Sequence, residues 1–336
     1  MKRFVARYSP LFILAGLCIV LAVISPEFRQ PDNFRNVAYR TCVVGIVATG
    51  QTLVILTAGI DLSVGSVAAV SGVVACMLMV RGAAYASLIG LAIRALGHPH
   101  LADALEVSVV VASVGAGVLV GSLCGAISGL LSTKGKLPPF IATLGMMMAA
   151  SGAALLLSGA QPIFGLPESF RYLGGARGWW IPVVITGLIA GVFAVVLTFT
   201  RFGRALYATG GSLQGARLSG IAVDRVRTAA FALCGMLSGF AGVMLASKVG
   251  IGDPKAAEGM ELDAIAACVI GGASLMGGEG SCVGSLAGAL IMTVLVNFCN
   301  LRQLDAHWQK VLVGSLIIVL VYYDTFRKRK AGLIRD

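Results

Sequence analysis

The chain has 336 residues, of which 57% are apolar and only 12% charged, with a mean hydropathy of +0.91. A soluble domain carries about twice that charged fraction, so a water-soluble enzyme or binding module is excluded. The formal net charge of +11 does not indicate a nucleic-acid partner, because the basic residues lie in short segments beside apolar runs.

In chain order, Lys2, Arg3 and Arg7 precede a first apolar run at 11–25. No small-residue cleavage site follows it, so it is expected as a spanning helix rather than a removed signal peptide. An amphipathic stretch, Pro26 to Arg40, is expected outside the membrane, before a second run at 41–58. A third run, 64–80, lies beyond the polar break Gly59-Ile-Asp-Leu-Ser-Val-Gly-Ser66. Residues 81–105 are apolar but carry Arg81, Arg94, His98 and His100, and are expected as an external amphipathic hairpin or interfacial helix. Further runs follow at 106–132, 139–158, 181–199, 228–247, 262–276, 281–299 and 309–323. Trp179 and Trp180 mark an interface before 181–199. With Lys134, Lys136, the arginines of 201–227 and the tail Arg327 to Lys330 on the cytoplasmic side, the count is ten crossings with both termini inside. The expectation is an all-α, polytopic membrane protein in one transmembrane domain over 1–336, surrounded by membrane lipids, with the basic segments setting topology or, as the alternative, contacting anionic lipids.

Glycines recur at 117, 121, 125 and 129, with pairs at 235/239 and 284/288. This four-residue spacing lines one helix face, for close backbone packing in a crowded bundle or along a dimer seam. The eight cysteines lie in or beside apolar runs without a C-x-x-C pair, as small packing residues do.

Irregular backbone at membrane depth survives only where it is packed in protein or lines an aqueous path. Asp61 in the first break can bind the hydroxyls of a polar solute, or hold the break by capping a helix N-terminus. Gly59, Ser63 and Gly65 belong to the same break. A weak echo, Gly272 to Ser281, contains Gly277, Gly278 and Glu279 between two later runs. Glycine-broken segments in corresponding halves point to a translocation path. Gln51, Thr52, Thr57, Thr143, Asn297 and Asn300 are polar groups that can line such a path or bond helix to helix.

The basic loop 201–227 holds Gly210-Gly211 as a turn, Leu213–Leu218 as a short helix, and Ser219-Gly220 as its end. A bare topological loop needs no such turn–helix–turn, which points to docking of a cytosolic partner. Enzymatic constellations are absent: there is no G-x-x-x-x-G-K-[ST] phosphate loop and no credible nucleophile–base pair.

Three blocks, 50–66 (GQTLVILTAGIDLSVGS), 201–221 (RFGRALYATGGSLQGARLSGI) and 261–280 (ELDAIAACVIGGASLMGGEG), resemble the permease of ribose-type bacterial ABC importers, a likeness running from about residue 8 to 325. The resemblance implies a transporter subunit of the bacterial inner membrane with no cofactor of its own. It further implies a separate cytosolic ABC ATPase that uses the ATP, a periplasmic or extracellular sugar-binding protein, and a second permease copy or paralogue. Gly210 to Gly220 resembles the coupling motif, matched at Gly211, Arg217, Leu218, Ser219 and Gly220; Leu213-Gln214-Gly215 replaces the family's Glu-Ala-Ala. Asp61 and Ser63 match its first break, and Glu261, Asp263, Gly277, Gly278 and Gly280 its second-half block. A permease for another small polar solute such as an amino acid, or a self-sufficient secondary carrier, are the alternatives.

Overall fold

A computed structural model describes residues 14–95 and 99–330. The start of the first run, both termini and His98 lie outside the described residues. The first described helix, α1, is Leu14–Ile24. It is followed by α2 (Pro31–Leu56), α3 (Val64–Ala95), α4 (Pro99–Thr133), α5 (Pro139–Ser158) and α6 (Trp180–Phe199). Then come α7 (Arg201–Gly211), α8 (Leu213–Leu218), α9 (Val223–Val249), α10 (Met260–Ile270), α11 (Cys282–Leu301) and α12 (Ala306–Lys330).

Among the described residues, seven helices are long and apolar enough to cross a membrane: α2 to α6, α9 and α11. The crossing expected over 262–276 is only half helical. The eleven residues of α10 rise about 16 Å against a hydrocarbon core of about 30 Å, and a glycine loop completes the segment. Most of the amphipathic stretch before residue 41 forms the start of α2, because Pro31 at the first helical position needs no amide partner and has a helical φ. The described residues of 81–105 are the adjoining ends of α3 and α4, 81–95 and 99–105; the two ends pack together where Gly82 meets Val109 and Gly90 meets Ala102.

The chain divides into two compact units, and the first cut falls between Ile60 and Asp61, inside the Gly59–Ser66 break. One unit comprises residues 1–60, 186–227 and 262–336. Its centre is α2, whose Val44, Ala48 and Ile55 pack on Ala267 and Cys268 of α10 and Ala289 of α11. Gly284 and Gly288 of α11 bring that helix against backbone at Gly271, just past α10, and at Ala267 within it. A second cluster joins Leu21, Phe28, Val37 and Val294.

At the edge of that cluster, Asn33 and Asn297 exchange side-chain hydrogen bonds at 3.1 and 2.7 Å, and Asn33 also donates to the Phe28 carbonyl at 3.2 Å. Removing either amide leaves its partner's polar atoms short of a bond, whereas removing both does not. Asn33→Ala and Asn297→Ala are therefore expected each to lower the thermal midpoint in detergent. The double variant should fall short of their sum by about 1 kcal/mol of coupling, and strictly additive midpoints would refute the pairing.

The other unit comprises 61–185 and 228–261. Here α3, α4 and α9 pack through Ala75, Cys76 and Met79, Val110, and Val243 and Ala246, with Phe170 from the 159–179 connection. That connection is tied down: the Ser247 hydroxyl donates to the Phe170 carbonyl at 2.6 Å and accepts from the Gly174 amide at 2.7 Å. The glycine face of α4 lies against α9, with Gly121 facing Gly235 and Gly239, and Gly125 facing Phe231 and Gly235. The stripe is thus used within the chain rather than as a dimer seam. The opposite face of α4 exposes Leu119, Leu123 and Ile127, as a lipid-facing helix does.

Candidate functional site: a short exposed helix on a glycine joint

Thr200 caps α7, its hydroxyl accepting from the Gly203 amide at 3.2 Å, and one residue, Ser212, separates α7 from α8. The Ser212 hydroxyl accepts from the Gly215 amide at 3.0 Å and starts α8. Gly220 ends it at φ +78°, which lets the Ile221 amide reach back to the Ala216 carbonyl at 3.0 Å. The short helix therefore has the bounds expected from sequence, whereas Gly210-Gly211 close a helix rather than forming a free turn. All of α8 except Ala216 is exposed, and Leu218 is 84% exposed. Arg217 reaches Asp224 at 3.2 Å, but both are exposed, so the pair contributes only about 0–1 kcal/mol and leaves the guanidinium available.

The last turn of α7 rests on backbone. A Cβ at Gly210 would run into the Leu56 carbonyl oxygen and the Gly278 amide nitrogen. Between those atoms, the Gly278 amide donates to the Leu56 carbonyl at 3.0 Å. That bond satisfies one of the carbonyls a helix end leaves without an intrahelical partner. The end of α2 is closed by Ala58 at φ +57° and by the Gly59 amide on the Val54 carbonyl at 3.1 Å. Gly277 and Gly278 sit at φ +87° and +73°, where side chains are strained, and a Cβ on Gly277 would meet Ala58 at 2.9 Å. Tyr207, on α7, donates its hydroxyl to the Gly280 carbonyl at 2.8 Å. Burial raises the Tyr207 phenol above its ordinary pKa, so it remains a protonated donor through neutral pH. Sequence reasoning missed Tyr207 and Leu56. An aromatic residue three positions before Gly210 on a basic loop was the only local signal.

Asp61 is buried, and its Oδ1 accepts from the Ser63 amide at 2.8 Å and the Ser63 hydroxyl at 2.6 Å. The Cys234 thiol also bonds this carboxylate. The Ser63 carbonyl accepts the first bond of α3, from Val67 at 2.8 Å, so Asp61 holds the residue that caps the helix. Gly65 allows close approach to the Ala257 carbonyl and the Glu261 carboxylate.

The other polar residues are placed as follows. Gln51 and Thr57 are buried on α2 and at its end, and Thr57 donates to the Val54 carbonyl at 2.8 Å. Thr52 shares a 2.6 Å hydroxyl bond with Ser285 of α11 and lies 3.5 Å from the Cys268 sulfur. Thr143 donates to the Phe140 carbonyl at 3.3 Å, and Asn300 accepts from Gln309 at 2.7 Å. Asn297 is engaged by Asn33, Asp263 pairs with Arg40 at 3.7 Å, and Glu279 is exposed on the loop.

Residues 33–321 match the family described as branched-chain amino acid transport system / permease component. The chain is 39% identical over 329 residues to the ribose import permease protein RbsC of Bacillus subtilis (strain 168), covering 97% of this chain and 94% of that one. It is 36% identical over 329 residues to RbsC of Escherichia coli (strain K12), covering 96% and 95%. The L-arabinose ABC transporter permease protein AraH of Azospirillum brasilense is 32% identical over 330 residues, covering 98% and 90%. No solved structure matches the chain.

Proposed function

This chain belongs to the branched-chain amino acid transport system permease family, and from that premise we propose that it is the membrane subunit of an ATP-driven importer of a ribose-like monosaccharide. The sugar follows from relatives that share nearly the whole chain and are ribose and arabinose permeases. No observation favours an amino-acid substrate over a sugar, or a carrier that works alone.

In this reading the whole chain acts as one permease domain in the bacterial inner membrane, crossing about ten times with both termini cytoplasmic. The residues Gly210, Gly211, Arg217, Leu218, Ser219 and Gly220 present α8 to a separate cytosolic ABC ATPase, which binds and hydrolyses the ATP. A sugar-binding protein delivers solute on the other side, and a second permease copy or paralogue completes the path. The breaks at Gly59–Gly65 and Gly277–Glu279 are the parts that move in alternating access, with Gln51 on α2 and Thr57 at its end beside the path. The observation that carries the reading is the exposure of α8. An apolar tip, Leu218, and a cation, Arg217, stand in solvent on a helix that is capped at both ends. Such a preformed, exposed projection suits a groove in another protein.

Co-purification with sugar-importer ATPase subunits tests this. The wild-type chain is expected to retain an ATPase. Arg217→Glu and Gly220→Pro should each weaken retention by about a hundredfold, the first by reversing charge at the contact and the second by removing the left-handed cap. Equal retention by both variants would remove α8 from the docking surface. Retention of no ATPase by the wild type would leave gradient-driven uptake as the reading to pursue.

A further inference from the structure

We propose that the Tyr207 hydroxyl is the strap through which movement of α8 reaches the loop ahead of α11, with the Gly210 backbone carrying the same movement to the end of α2. This inference rests on the importer reading and names the residues that would transmit its force.

On its N-terminal side α8 is joined to α7 through a single residue, Ser212, so movement passed that way reaches the helices around α7 only through what grips α7. Two grips are present, and they differ in kind. At Gly210 the contact is backbone on backbone, against Leu56 and Gly278, so no side-chain rotamer can absorb a displacement. Leu56 and Gly278 are bonded to one another, so the end of α2 and the glycine loop move as a pair. At Tyr207 the contact is one long, stiff side chain bonded to the Gly280 carbonyl, at the residue immediately before Ser281. Ser281 caps α11, its hydroxyl accepting from the Gly284 amide at 3.1 Å. A displacement of Gly280 therefore acts directly on the cap of α11. The glycines at 277, 278 and 280 have φ of +87°, +73° and +149°, so this loop occupies backbone regions where only glycine moves without strain. The Tyr207 bond ties α7 to this loop through a single side-chain atom, and phenylalanine removes it while keeping the ring.

Hydrogen exchange on the full chain in nanodiscs tests this without knowledge of the sugar. The ATPase subunit recovered with the protein is added with and without a non-hydrolysable ATP analogue. In the wild type, docking is expected to protect the amides of 213–218, and nucleotide is expected to change exchange over 271–285. In Tyr207→Phe the protection of 213–218 should remain, while the nucleotide response of 271–285 falls at least about fivefold, the loss of one hydrogen bond. An unchanged response in the variant, or no response in the wild type, overturns the strap. Loss of protection at 213–218 in the variant also overturns it, since Tyr207 would then belong to docking. Absence of that protection in the wild type overturns the importer reading instead.

Discussion

Gly121→Val is expected to yield a protein that extracts poorly and loses its thermal transition in detergent, with a destabilisation of at least about 3 kcal/mol. The reason is geometric. A Cβ at Gly121 would collide with the Gly235 carbonyl oxygen and lie 2.9 Å from the Gly239 Cα, both backbone atoms of the facing helix. Backbone has no rotamer to yield, so α4 and α9 would have to separate along the whole contact that also holds Gly117, Gly125 and Gly129. In a membrane that separation is not resisted by water. Lipid is as apolar as the side chains, so van der Waals closeness is itself what joins the helices. Gly115→Ala on the same helix is the control. Nothing lies within 4 Å of its Cβ, and alanine is the better helix former by about 1 kcal/mol, so it should be neutral or mildly stabilising. Comparable loss from both variants would show that helix propensity, not contact, governs α4.

The second large effect is expected at Asp61. Asp61→Ala strands the Ser63 amide and hydroxyl, two buried donors that now share one carboxylate oxygen. Losing the acceptor they share leaves both donors unsatisfied at a cost of about 1–3 kcal/mol, and the start of α3 loses the group that orients its cap. Asp61→Asn keeps an acceptor oxygen in the same place and should recover more than half of that loss in thermal midpoint. If transport is lost equally in both while stability returns in the asparagine variant, the carboxylate charge also serves the solute path. If stability and transport return together, Asp61 is a holding residue for the break.

Much of the candidate site was legible locally. Ser212, Gly220 and the intervening LQGARL mark both ends of α8, because caps and left-handed glycines act within four residues of chain. The break at Gly59–Ser66 was legible for the same reason: a carboxylate and four small residues interrupt apolar runs. The glycine face of α4 could be read as a packing face, but not which helix it would meet.

The sequence by itself determined that the chain is helical and membrane-borne, where most apolar helices begin and end, and where the polar interruptions fall. These properties follow from composition over about twenty residues and from short-range backbone chemistry. Only the tertiary structure decided that α10 stops halfway and that the stripe on α4 is spent on α9. It alone brought Tyr207 to Gly280, 73 residues away, and Asn33 to Asn297, 264 residues away. Such meetings leave no periodic trace, since each depends on one donor finding one acceptor after the helices have packed. In a chain that is apolar on every face, the apolar pattern cannot say which faces will touch. The choice was made by the few places where a missing Cβ or an unpaired carbonyl allowed two backbones to come together.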